Sequence, residues 1–129
     1  MKKIMFLLVA IVVIFSCSEK KENSLIGKWK LTEQMIGIGN GNATFQKVNS
    51  EKTIEFLKNG TLVSNGTLCT LSKDSDQAEE AIFSEIKNAI ILKDCGSNNK
   101  DIYIEMKGAE LILSYQCIEV CQQKYIKLQ

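Results

Sequence analysis

The feature that most constrains this chain is a pair of short turn signals, each set between two runs of strand-forming residues. Asn59-Gly60 separates KTIEF from TLV, and Lys107-Gly108 separates DIYIEM from LILSY. Turn residues that accept positive φ match the twist of antiparallel neighbours, so each pair predicts a β-hairpin. Asn65-Gly66 falls inside a strand-like stretch and reads as a bulge. Within 102–106, Ile102, Ile104 and Met106 share one face and Tyr103 and Glu105 the other, the alternation of a half-buried strand. Strands are expected at 28–34, 52–58, 61–69, 82–86, 89–95, 102–106, 111–117 and 124–128. Eight short strands in succession predict a sandwich or an up-and-down barrel.

One segment carries competing signals. Asp76-Gln77-Ala78-Glu79 has the form of a helix capping box, and Ala78, Ile82, Ile86 and Ile90 recur every four residues. Lys87-Asn88 can instead turn a hairpin into the β-branched run that follows Ala89. The hairpin is the preferred reading.

If the strands alternate and Asn59-Gly60 lies at the lower end, the topology places the cysteines. Cys69, Cys95 and Cys117 each finish a rising strand, and Cys121 follows after a short connection, so all four belong to the upper rim. The longest connection, 35–51, lies there too and contains GIGNGN. Without a strand-turn-helix context this is an irregular loop rather than a phosphate cradle. Asp74, Asp76 and Glu80 lack the glycine and ligand count of a calcium loop and read as a solvated acidic stretch.

Composition narrows the chemistry. The chain has no histidine and no proline, and all 16 of its basic residues are lysine. Histidine-based triads and histidine-rich zinc sites are thereby excluded, and with both charge signs interspersed there is no basic stripe for nucleic acid. The acids fall mainly on loops and outward positions, where no strong pKa perturbation is expected. Neither catalytic residue, metal nor cofactor is expected, and the chain is not read as an enzyme.

The amino terminus predicts export. Lys2 and Lys3 precede an uncharged apolar run over 4–15, and Ser16 stands before Cys17, the layout of a secretory signal. The run is about a dozen residues, short of the roughly 20 that a spanning helix needs. Ile14, Ser16 and Cys17 resemble a bacterial lipobox, which implies that residues 1–16 are a signal peptide and that Cys17 becomes an acylated N-terminus. Its palmitate-type chains would anchor the protein to the membrane. An ordinary cleavage site beside an incidental cysteine is the competing reading. SEKKENS, residues 18–24, has no apolar member and forms, with Cys17, a solvated tether (17–24) ahead of a single domain at 25–129.

In an exported chain the remaining cysteines, Cys69, Cys95, Cys117 and Cys121, predict two disulfides. Pairing Cys117 with Cys121 leaves Cys69 with Cys95, which requires bent strand ends, because alternate strands lie about 10 Å apart and a disulfide needs Cα atoms within about 7 Å. The crossed pairings remain open. A redox role for Cys117-Ile118-Glu119-Val120-Cys121 is disfavoured by its C-x3-C spacing.

Leu25-Ile26-Gly27-Lys28-Trp29 resembles the opening of a lipocalin, whose first strand carries Gly-x-Trp, matched by Gly27 and Trp29, after a short helical turn for which NSLI is the candidate. The order GKW, TFQKVNSEKTIEFLKNGTLVSNGTLC and LILSYQCIEVCQQKYIKL is similar to the small lipocalin-like domain of bacterial lipoproteins. The resemblance implies an all-β, eight-stranded antiparallel up-and-down barrel, with a basic side chain from the last strand, Lys127, lying across Trp29 to close it. Alternation would point Trp29, Leu31, Ile54, Phe56, Ile102, Ile104, Leu111 and Leu113 inward, and all of these after Trp29 are candidate ligand-binding residues.

The expected function is that of a monomeric, membrane-anchored lipoprotein of the cell envelope. It would be held by its N-terminal lipid on the outer membrane, on a face the sequence leaves open, and would bind a small hydrophobic or amphipathic ligand in the barrel. The alternative is a solid-core interaction module that meets a protein or polysaccharide through the rim loops 35–51 and 70–81.

Overall fold

In the first strand, GKWKLTEQMI, Trp29 and Leu31 are buried while Lys28 between them and the tether is exposed. This one-sided burial repeats around the molecule. The computed structural model describes residues 24–37, 39–98 and 100–129; the expected signal peptide, Cys17 and most of the tether lie outside the described residues.

The strands are β1 (Gly27–Ile36), β2 (Gln46–Lys47), β3 (Thr53–Phe56), β4 (Thr61–Ser64), β5 (Glu79–Ser84), β6 (Ala89–Ile91), β7 (Ile102–Lys107), β8 (Glu110–Tyr115) and β9 (Cys121–Lys127). From β3 onward each pairs antiparallel with the next, while β1 pairs with both β3 and β9. That double pairing closes the sheet into an eight-stranded antiparallel up-and-down barrel, consistent with a lipocalin-like one. The two-residue β2 lies along the same edge of β1 as β3, through Glu33↔Lys47 and Gln34↔Gln46, and continues it upward.

Both predicted turns form. Gly60 and Gly108 take φ of 85° and 59°, and the Asn59 side chain accepts from the Thr61 amide at 3.0 Å. Residues 79–91 form the β5–β6 hairpin, turning at Asn88 in the left-handed region (φ 48°). The four-residue spacing there marks no buried helical face, because Ile82 and Ile86 are 47% and 98% exposed.

Several strands are shorter than expected. The stretch expected at 61–69 leaves the sheet after Ser64, where Asn65 bonds across to β3: its Oδ1 accepts from the Thr53 amide at 2.7 Å and its Nδ2 donates to the Glu51 carbonyl at 3.0 Å. The expected strand 89–95 ends at Ile91. Residues 24–26 form no helical turn; the Trp29 indole N–H donates to the Leu25 carbonyl at 2.9 Å instead. The β1–β9 register shifts between Leu31 and Glu33, a bulge at Thr32, whose hydroxyl donates to the Lys124 carbonyl at 3.2 Å.

Trp29, Leu31, Ile54, Phe56, Ile102, Ile104, Leu111 and Leu113 all join the core cluster, together with Leu62, Leu68, Phe83, Ile90, Leu92 and Tyr125. Phe56 and Phe83 meet edge to face with ring centroids 5.0 Å apart, a favoured arrangement of the two quadrupoles.

Candidate functional site

At the lower end, Trp29 and Lys127 are cross-strand partners on β1 and β9. The Lys127 ammonium lies 5.4 Å from the centre of the Trp29 ring and donates to the Ser24 carbonyl at 2.7 Å. Gly27 makes the crossing feasible. Its φ of +131° is one L side chains rarely adopt, and a Cβ there would come within 2.7 Å of Lys127 Cε.

The candidate ligand-binding residues pack around and beyond this pair, Ile54 as the cross-strand partner of Trp29 and Phe56 as that of Gly27. Ile54, Phe56, Leu111 and Leu113 are 0% exposed, Leu31 and Ile102 are 1%, and Ile104 is 9%. A void that admitted even one water would leave exposed area on its lining, so the middle of the barrel is filled by its own side chains. An eight-stranded barrel is narrow enough for this outcome.

The upper end is closed by a polar cluster. Lys52, wholly buried, donates from Nζ to the carbonyls of Thr67 at 2.7 Å and Ser72 at 2.8 Å. Gln123 on β9 donates to the same Ser72 carbonyl at 3.0 Å, while its Oε1 accepts from the Tyr125 hydroxyl at 2.7 Å and the Tyr115 hydroxyl at 3.2 Å. Ser50 donates to the Lys73 carbonyl at 2.6 Å and Gln34 to that of Leu71 at 3.3 Å. Leu68, 1% exposed, inserts below, and its amide is taken by the Glu79 carboxylate at 2.7 Å. Residues 65–75 thus form a lid whose carbonyls are held from beneath. Among the described residues no buried side-chain nitrogen or oxygen lacks a partner. Gly66 permits the seat, because a Cβ there would collide with the Asp74 carbonyl.

Burial lowers the Lys52 pKa to about 8, opposed by the nearby carboxylates of Glu79 and Asp74. The Tyr115 hydroxyl is pushed up, by burial first and then by Glu79; that of Tyr125 is pushed up by burial and then by Tyr115. Period-two alternation puts Lys52 on the face of Ile54 and Phe56 in the strand expected at 52–58, but a lysine at a strand end is ordinarily exposed, so its burial was not foreseen.

Both disulfides brace this end. Cys69 joins Cys95 with Cα atoms 5.4 Å apart, and Cys117 joins Cys121 at 6.1 Å. The first pairing is reachable because 65–69 and 92–95 both leave the sheet and bend toward each other, so the separation of alternate strands no longer applies. The crossed pairings do not form. Beside the β8–β9 connection the loop after β1 is held at two points: the Gly37 amide donates to the Val120 carbonyl and the Gly39 amide to the Glu119 carboxylate, both at 2.6 Å. Ile36, Ile118 and Val120 stay exposed around them, at 55%, 104% and 40%.

Recesses lie at the ends and flank of the barrel. A side cleft of about 560 Å³ opens between β5 and the chain after β6, lined by Leu68, Leu92, Glu79 and Lys93. A smaller one, about 200 Å³, lies under the rim among Cys69, Cys117, Cys121 and Tyr115. Of the candidate ligand-binding residues, only Ile102 borders either of these two recesses.

The architecture defines the class: a small, closed, disulfide-braced antiparallel barrel, solid in its middle and lidded at its upper end. Comparison with protein-family models, with curated proteins and with solved structures found no match for the chain.

Proposed function

We propose that the protein is a membrane-anchored, lipocalin-like lipoprotein of the cell envelope that works as a solid-core interaction module. Its recognition surface is the upper rim, formed by residues 39–45, the lid at 65–75 and the 116–120 connection. The observation that carries this reading is the filled interior, where the candidate lining is 0 to 9% exposed. Recognition then falls to the rim, where the disulfides limit loop motion and Ile36, Ile118 and Val120 provide apolar contact beside the Glu119 carboxylate. Rigid loops lose less conformational entropy on binding, which favours affinity from a small surface. The N-terminal lipid on Cys17 supplies the membrane attachment, and the proposal assigns the chain no reaction and no cofactor.

In-cell cross-linking tests it: a partner protein or envelope polysaccharide captured by the native chain should be lost when Ile118 and Val120 are changed to Ser, and kept when Tyr103, 54% exposed on the barrel wall, is changed to Ser. Capture that ignores the rim changes would sink the reading. The side cleft favours a second reading, a small amphipathic ligand held between Leu68, Leu92 and the charged Glu79 and Lys93. Native mass spectrometry before and after solvent extraction would reveal such a molecule.

A further inference from the structure

The lower end of the barrel is where the anchored segment joins the fold. Ser24 is held there by Lys127 and Leu25 by Trp29. From Cys17 to Ser24 the chain can span about 25 Å at most, at roughly 3.3–3.6 Å per residue. β1, ten residues long, rises about 25 Å along the axis at the usual rise and barrel tilt, before any upper loop is counted. An inverted barrel would therefore hold the tether fully stretched, whereas a barrel resting on its lower end leaves it slack.

That lower end also has the chemistry of a bilayer-facing surface. Ile86, 98% exposed, forms the tip of the 85–88 turn, and Ile126 and Leu128 are 44% and 40% exposed. Ile126 and Leu128 border a largely apolar groove of about 750 Å³ that is also lined by Trp29, Met106 and Ala109, with Ser24 at its edge. Each of the three lower turns carries an exposed lysine, Lys58, Lys87 and Lys107, with Lys28 and Lys127 beside them. The acids at this end are Glu55, Glu85, Glu105 and Glu110; Glu105 pairs with Lys107 at 3.9 Å and Glu110 with Lys124 at 3.7 Å. The upper end bears the acids Asp74, Asp76, Glu80, Asp94, Asp101 and Glu119 against the lysines Lys47, Lys73, Lys93 and Lys100, with Asp74 paired to Lys73 at 3.7 Å, so acid is in excess there and an anionic surface disfavours it.

We propose that the lower end is a membrane-docking face that seats the barrel upright on an anionic phospholipid surface, its turn lysines at the phosphates and Ile86, Ile126 and Leu128 in the headgroup layer. The orientation rests on the lipid-anchored reading, and it leaves the upper rim facing away from the bilayer. Interfacial binding of this kind combines apolar burial with attraction to acidic lipid.

The test uses the full chain purified from membranes. The mass of its N-terminal peptide reports acylation and so judges the anchoring reading separately. Amide exchange is then followed on phosphatidylethanolamine vesicles with and without phosphatidylglycerol. The expected result is severalfold slowing at 57–60, 85–88 and 107–110 on the anionic vesicles, no change at 39–45 and 116–120, and loss of the slowing in a Lys58→Glu, Lys87→Glu, Lys107→Glu variant. Equal exchange at both ends, or protection of the upper loops instead, would overturn the docking face. If the peptide carries no lipid, co-sedimentation of the same chain with the anionic vesicles decides: retention abolished by the triple variant supports the face, and no retention refutes it.

Discussion

At Gly27 the reason for a glycine two residues before the tryptophan is local and steric. The backbone sits at φ +131°, and the missing Cβ leaves room for Lys127 to cross beneath Trp29. Gly27→Ala should cost about 1–3 kcal/mol, chiefly from the disfavoured φ because the flexible lysine can move aside. Trp29→Ala should cost about 3–5 kcal/mol, since it empties a fully buried site; urea denaturation measures both. Lys52 makes a different prediction. Its folded pKa of about 8 lies below the ordinary 10.5, so between these values the unfolded chain binds more protons than the folded one. Stability should therefore rise as pH climbs from about 8 toward 10, by on the order of 1–3 kcal/mol. Above pH 10 the buried tyrosines, with raised pKa values, should reverse the slope. Denaturation midpoints from pH 7.5 to 11 should show the rise in the native chain and none in Lys52→Met.

Among the elements, the lid at 65–75 depends most on distant parts of the chain. It receives hydrogen bonds from Lys52, Ser50 and Gln34 on the β1–β3 side and from Gln123 on β9, and a covalent bond from Cys95. The two disulfides should differ in their contribution to stability. Loop-closure entropy for a separation of 26 residues is about 3.5 kcal/mol, against about 2 kcal/mol for a separation of 4. Replacing Cys69 and Cys95 by Ser should thus destabilise the barrel more than replacing Cys117 and Cys121, and amide exchange in 65–75 should quicken only in the first variant. Equal losses would show that native contacts, rather than loop closure, set the difference. The β5–β6 hairpin shows how local signals can mislead: a capping-box pattern and four-residue apolar spacing coexist with a structure in which Ile82 and Ile86 point to solvent.

For the whole molecule, the packed interior sets the functional proposal, and Phe56 tests it. Phe56→Ala should cost about 3–5 kcal/mol, because it removes the edge-to-face contact with Phe83 and leaves a cavity that rigid neighbours cannot fill. In a hollow barrel the same change would only enlarge an existing space, and a loss under about 2 kcal/mol would favour that picture.

Strand alternation, hairpin turns and the inward set from Trp29 to Leu113 were legible in the sequence because each depends on residues a few positions apart. The rim position of the four cysteines followed from the alternating direction of successive strands. Three things were decided only by the tertiary structure: the Cys69–Cys95 pairing, the burial of Lys52 and Gln123, and a lid in place of the upper part of the fourth strand. Each depends on groups far apart in the chain meeting at one end of a closed barrel. There an excluded lysine becomes a donor to loop carbonyls, and a strand that should continue bends to meet them.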